Sequence, residues 1–355
     1  MDRRRASDGR DRQGKLLTLH TSALFDPKYG GFRENISVVV DAESGLIVEV
    51  YERDGDDTLQ WLGEGDIDLR GLYVLPGLVD AHTHIFLHSY EEADALHQKR
   101  DESITERVVR GVNHCRAALL AGYTTYRDLG SEGMQDADTN LRDVIARGLM
   151  PGPRLFVATR ELASTGSFEL RTENAGGGHH VPPGPDVADG VEQCRQAVRR
   201  RIAAGADVVK VPRLTRSWPR PGMAQCPVAA HCGTRDGALI AITAGVTSIE
   251  HGTAITDDML PTMAAEGIIF VPTLANAYDA GVRLACGGDT GTFSHGDNVR
   301  ELELMIEAGV PVADVIESCT VGGWEACGGE LCGRRFGWFE AGLQADISAL
   351  DGDPE

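Results

Sequence analysis

Several absences narrow what this 355-residue sequence encodes. No apolar run approaches the roughly 20 residues that a helix needs to cross a bilayer, so a membrane partner is not expected. The eight cysteines form neither a CxxC pair nor a regular framework. They read as ordinary thiols of a reducing compartment, not as a secreted disulfide scaffold. Positive charge is scarce: 34 Lys and Arg stand against 54 Asp and Glu, a net charge of −20. A phosphate backbone would be repelled by such a surface, so no nucleic-acid partner is expected, and the acidity reads as solubility. The charged opening Met1-Asp2-Arg3-Arg4-Arg5 is followed by more polar residues and no apolar segment, so a signal peptide is not expected either. Internal repeats and low-complexity tracts are missing too. The expectation is a soluble, cytoplasmic protein.

What is present is 42% hydrophobic residues, enough to bury a substantial core in a chain of this length. Residues 1–14 are charged and read as disordered. Over 15–75 the pattern alternates in the β manner, with strand candidates at Leu16–Leu19, Ile36–Val40 and Leu46–Val50. Residues 336–355 share that character. Between them strands alternate with helical stretches, the signature of a parallel α/β barrel. Strands are expected near 78–86, 123–128, 154–159, 207–211, 227–231, 246–251, 268–273 and 282–289. Helices are expected over 103–121, 188–204 and 236–244.

The apolar run Leu72–Ala81 ends in His82-Thr83-His84. Side chains two apart on a strand share a face, so both imidazoles aim at one point, where a barrel strand passes into its active-site loop. That is a way to place two nitrogen ligands on one metal ion, although a lone HxH is equally a pair of satisfied polar groups. Four further residues close strand-like segments in order: Lys210 after Asp207-Val208-Val209, His231 after Val228-Ala229-Ala230, His251 after Thr247-Ser248-Ile249-Glu250, and Asp289 after Cys286-Gly287-Gly288. In a (β/α)8 barrel such ends converge on one rim.

The stretch Pro76-Gly77-Leu78-Val79-Asp80-Ala81-His82-Thr83-His84 resembles the signature of the metal-dependent amidohydrolase superfamily. The stretches 121–130, Pro151-Gly152-Pro153-Arg154, Ser248–Thr253 and His295-Gly296-Asp297-Asn298 resemble its branch of Xaa-Pro dipeptidases, ochratoxinase-like amidases and imidazolonepropionase-like proteins. The resemblance implies a fold of the α/β class: a (β/α)8 TIM-type barrel over 76–335, plus a small β-sandwich built from both termini, 15–75 and 336–355. It implies two divalent metal ions, with zinc favoured, held by His82, His84, Lys210, His231, His251 and Asp289. Lys210 as an ammonium has no lone pair for a cation. The resemblance implies that its amine instead takes up carbon dioxide as a carbamate; an ordinary surface or salt-bridging lysine is the plainer alternative. The implied reaction is hydrolysis of an amide or peptide bond in a small substrate, such as a dipeptide or N-acyl amino acid, through a metal-bridging hydroxide. Asp289 would act as general base and then general acid; a turn aspartate beside glycines is the plainer alternative. A homo-oligomer is also implied.

His295 and His179 are candidates for touching substrate, with a loop-capping role an equal alternative for His295. His179 follows a glycine run in a stretch that departs from the family pattern. Arg127 and Asp128 read as an internal ion pair, and Glu250 as a structural residue on the strand face opposite His251. Two crossovers are short. The segment 212–226 carries three prolines, which exclude a regular helix, and only eight residues join Thr273 to Val282. Two βα units are therefore expected to be shortened. A degenerate, non-catalytic or truncated homologue is the second reading. A single-metal deaminase-like hydrolase is a third, disfavoured by the lysine.

Overall fold

The computed structural model describes residues 15–54, 62–165, 184–212, 226–271, 276–352 and 354. The alternating N-terminal segment forms strands β1 (Leu16–Asp26), β2 (Gly31–Glu34), β3 (Ile36–Asp41), β4 (Leu46–Glu52) and β5 (Asp66–Pro76). Asp41 shapes the turn between β3 and β4: its carboxylate accepts from the Glu43 amide at 3.0 Å and the Ser44 hydroxyl at 2.9 Å.

The chain then enters a ring of parallel strands. β6 (Leu78–Thr83), β7 (Tyr123–Asp128) and β8 (Arg154–Val157) pair side by side. A short pair, β9 (Leu162–Ala163) and β10 (Asp186–Val187), follows. Next come β11 (Val209–Val211), β12 (Val228–His231), β13 (Ser248–Glu250) and β14 (Ile269–Val271), again paired in order. Two sets of backbone bonds join the runs. The Asp207 amide donates to the Val157 carbonyl at 2.8 Å. On the other side the extended stretch 282–289 lies between β14 and β6. Phe270 N–H bonds Arg283 O at 2.8 Å, Ala81 N–H bonds Cys286 O at 2.8 Å, and Asp289 N–H bonds His82 O at 2.8 Å. The eighth position is thus a single β-bridge at Leu284 where the sequence pattern predicts a full strand. Its glycines explain why: a Cβ on Gly287 would lie 2.6 Å from the Cβ of His82, so the backbone approaches β6 too closely for side chains.

Helices clothe the ring where periodicity and caps place them. The predicted 103–121 is observed as Ile104–Leu120, capped by the Ser103 hydroxyl on the Glu106 amide; Arg235–Ala244 begins at a Thr234 cap. Gly190–Ala203 matches the expected 188–204. Most of the short crossover 212–226 lies outside the described residues. The other, before Val282, carries among its described residues the single-turn helix Asn276–Asp279. A last strand, β15 (Ile347–Leu350), returns to pair antiparallel with β5, so both ends of the chain share one six-stranded sheet in the order β15-β5-β1-β3-β4, with β2 on β1. Leu24, Val38, Val74, Val79, Trp324, Phe336 and Trp338 pack where that sheet meets the barrel. Gly77 marks the crossing point, because a Cβ there would stand 2.1 Å from the Thr124 hydroxyl.

Candidate metal centre

All six residues singled out at strand ends meet at one rim. His82 is the penultimate residue of β6 and His84 lies one residue beyond the strand, both buried. One ring nitrogen of each and a carboxylate oxygen of Asp289 lie within 4.8 Å of one another. The Nε2 atoms of His82 and His84 each stand 3.6 Å from Asp289 Oδ1. Lys210 Nζ, from the middle of β11, is 3.2 Å from His82 Nε2. His251 Nδ1 is 3.8 Å from Asp289 Oδ2, and its ring lies 4.7 Å from that of His82 and 4.6 Å from that of His231. His82, His84 and Asp289 are the compact trio among the described residues, and His231, His251 and Lys210 line the adjoining space.

The backbone is bent to achieve this. His251 and Asp289 adopt φ of 62° and 43°, a left-handed conformation that side chains with a Cβ seldom take. The His251 amide, bonded to Val271 O at 3.2 Å, and the Asp289 amide, bonded to His82 O, hold these bends. Such strain persists where surrounding structure over-determines it, typically at a working site.

Burial sets the protonation states. It holds the His82 imidazole well below its ordinary value, with the Lys210 charge acting the same way, and it brings His231 down to about 4. Neutral imidazoles, each with a free lone pair, are what a cation requires. Burial also lowers the Lys210 amine, against the pull of Glu250 and Asp289. It works against ionising Asp289 too, yet His82, His84 and His251 hold that carboxyl below its usual range.

A second layer orients the ligands. Glu250 Oε2 accepts a hydrogen bond from His82 Nδ1 at 2.8 Å, which turns Nε2 of that ring toward Lys210 and Asp289. Glu250 Oε1 accepts from Arg127 Nη2 at 2.8 Å and from the Ser248 hydroxyl at 2.5 Å. His84 Nδ1 bonds Gly130 O at 3.2 Å, which turns its Nε2 toward Asp289. Asp80 lies beneath, accepting from the amides of His82 at 2.9 Å and Gly288 at 3.2 Å and from the Asn298 side chain. Burial raises its carboxyl to about 7.

Two expectations are corrected here. Glu250 does not face away from the site: it is fully buried against His82. Arg127 and Asp128 do not pair with each other. Arg127 reaches Glu250, while Asp128 sits on the opposite strand face and accepts from the Ile85 amide at 3.4 Å.

Comparison with known proteins agrees with this geometry. Residues 73–355 match the amidohydrolase family. The chain belongs to that family. This amidohydrolase is 26% identical to an ochratoxinase of Aspergillus niger over 410 aligned positions, covering 95% of the chain and 82% of the relative. It is 23% identical to an imidazolonepropionase of Brevibacillus brevis, covering 96% and 91%. Among solved structures it superposes on a Xaa-Pro dipeptidase with bound methionine in its active site, at a TM-score of 0.78 and 26% identity, covering 96% and 95% of the two chains. The fold is accordingly of the TIM-barrel type, and the protein is a hydrolase acting on carbon–nitrogen bonds.

Two other histidines complete the account. His295 of this amidohydrolase is buried, its Nε2 3.1 Å from Leu87 O and 3.3 Å from His84 O, and its ring is stacked on His114 at 4.1 Å. These contacts fasten the loop after β6. His179 lies outside the described residues. A separate cleft of about 650 Å³, lined by Thr124, Arg142, Arg154, Asp207 and Asp346, opens at the strand starts, the far end of the barrel from the ligands. No described helix is long and apolar enough to cross a membrane.

Proposed function

We propose that this amidohydrolase cleaves the amide bond of a small substrate, a dipeptide or N-acyl amino acid, with two divalent cations, zinc by preference. The convergence of His82, His84 and Asp289, one ligand atom of each within 4.8 Å of the others, carries the proposal. The donor set suits the group: buried imidazoles, a carboxylate held below its usual range and orienting partners behind the rings. His82, His84 and Asp289 would hold one ion, and His231 and His251 the other. Lys210, 3.2 Å from His82 Nε2 and depressed by burial, would add carbon dioxide at Nζ with release of a proton, and the carbamate would supply anionic oxygens to the ions. Two such ions supply an acidified water and polarise the scissile carbonyl.

The chain's own residues do the rest. Asp289, held ionised, takes a proton from the attacking water at a carboxylate oxygen and delivers it to the leaving nitrogen. Glu250 fixes the tautomer of His82, and Asp80 with Asn298 fixes the backbone of the HxH segment. The single-turn helix Asn276–Asp279 leaves this assembly in place, which favours a working enzyme over a degenerate homologue.

The test is metal content per chain, followed by turnover on a panel of N-acyl amino acids and dipeptides. Protein without bound metal after loading with zinc and bicarbonate, or an Asp289→Asn variant as active as the parent, would sink the proposal.

A further inference from the structure

His84 is held differently from His82, and the difference leads to a residue on the rim. Behind His84 Nδ1 stand the Gly130 carbonyl at 3.2 Å and Glu132 Oε1 at 3.4 Å. The other oxygen of Glu132 is ion-paired with Lys99 Nζ. Both side chains are about nine-tenths buried, at 11% and 9% exposure. The segment carrying Glu132 is pinned on three sides. Leu129 N–H bonds Thr83 O at 2.9 Å, Ser131 N–H bonds Thr159 O at 2.9 Å, and Arg107 Nη2 bonds Glu132 O at 2.8 Å. Glu132 itself takes a left-handed φ of 51°. A glutamate forced into that conformation and closed off from water is held for its side-chain contacts.

Lys99 comes from the helix Ala95–Asp101, within the loop that follows β6. The neighbouring Gln98 locks that helix to the same loop. Its Nε2 donates to His88 O at 3.0 Å, and its Oε1 accepts from the His88 amide at 3.0 Å. The helix therefore cannot shift without moving Lys99, and Lys99 holds the carboxylate that faces His84.

We propose that Lys99 and Glu132 are positioning residues for His84. Together they fix its ring so that Nε2 faces the metal, and they thereby couple the rim helix Ala95–Asp101 to metal affinity. This rests on the reading of His84 as a ligand. The physical argument is one of restraint. A carboxylate at Nδ1 sets the tautomer and ring angle of a ligating histidine. Glu132 does so while Lys99 holds its second oxygen, because that ion pair fixes the direction in which the carboxylate faces His84.

The experiment is a zinc titration of metal-free protein against a chromophoric chelator, with thermal unfolding of each metal-free variant measured alongside. The proteins are the parent, His84→Ala, Glu132→Gln, Lys99→Gln, Lys99→Arg and the double variant Lys99→Gln/Glu132→Gln. Glu132→Gln and Lys99→Gln are each expected to weaken zinc binding by about 10–100-fold, the usual effect of losing such a partner. The double variant should bind no more weakly than Glu132→Gln alone, since the two act as one unit. Lys99→Arg should recover most of the parent affinity. A purely structural role would lower the unfolding temperature without this pattern. If His84→Ala binds zinc as the parent does, His84 is not a ligand and the site reading fails with this inference. If His84→Ala loses affinity while Glu132→Gln and Lys99→Gln stay within twofold of the parent, the site reading stands and the inference alone is overturned. Should Glu132→Gln not fold, the contrast between Lys99→Gln and Lys99→Arg decides.

Discussion

Glu250 binds His82 Nδ1 with one carboxylate oxygen and Arg127 Nη2 with the other, both at 2.8 Å. The three side chains come from β13, β6 and β7, and Glu250 and Arg127 are wholly buried. Arg127 also donates to Ala81 O at 2.5 Å, Ala326 O at 2.9 Å and the Ser248 hydroxyl at 2.9 Å. One buried ion pair thus ties three strands together under the ligand cluster. Arg127→Met strands the Glu250 charge and should cost about 3–5 kcal/mol in chemical denaturation. Glu250→Gln should instead weaken metal binding by roughly 10–100-fold. Equal stability of Arg127→Met and parent would show that the pair carries no such duty.

Asp289→Asn removes the proton-transfer group while leaving an oxygen at the same place. Turnover should fall by about 10²–10⁴-fold, with metal content per chain little changed. Loss of metal in parallel with activity would assign Asp289 a purely ligating role.

Lys210→Ala removes the nitrogen that a carbamate needs. Metal content and turnover should both drop, and a short carboxylate such as acetate or propionate should restore part of each by filling the vacated space. Restoration by chloride to the same extent would point to ionic strength and against a carbamate.

Glu301, on the helix Val299–Glu307, gives a pH signature. Burial, with Asp80 and Asp289 adding, raises its carboxyl from 4.5 to about 7. Between those values the folded protein binds more protons than the unfolded chain, so stability falls as pH rises through that window and levels off above it. The loss from this one group is on the order of 3 kcal/mol. Glu301→Gln should gain on the parent between pH 5 and pH 8 in urea denaturation of the metal-free protein. An identical difference at both pH values would show that Glu301 titrates normally.

How far the sequence carries can be judged residue by residue. His82, His84, Lys210, His231, His251 and Asp289 could be singled out as candidates because each lies at or near the end of a β-branched or small apolar run, and barrel strands deliver their C-terminal ends to one rim. Helix positions were legible from period and caps, as at Ser103 and Thr234. Glu250 was misplaced because strand alternation was carried one residue too far. At His251 the chain turns left-handed, φ 62°, so His251 and Glu250 both address the site although they are adjacent.

The local pattern of the sequence determined by itself seven of the eight barrel strands and the candidate ligands, since apolar periodicity and strand ends are properties of neighbouring residues. Only the tertiary structure decided who stands behind those ligands. Glu250 meets His82 across 168 positions of sequence, Arg127 meets Glu250 across 123, and Lys99 reaches Glu132 from a rim helix. Such partners are chosen by which strands and loops become neighbours when the ring closes, and by the need of each buried charge for an opposite one, neither of which a local pattern encodes.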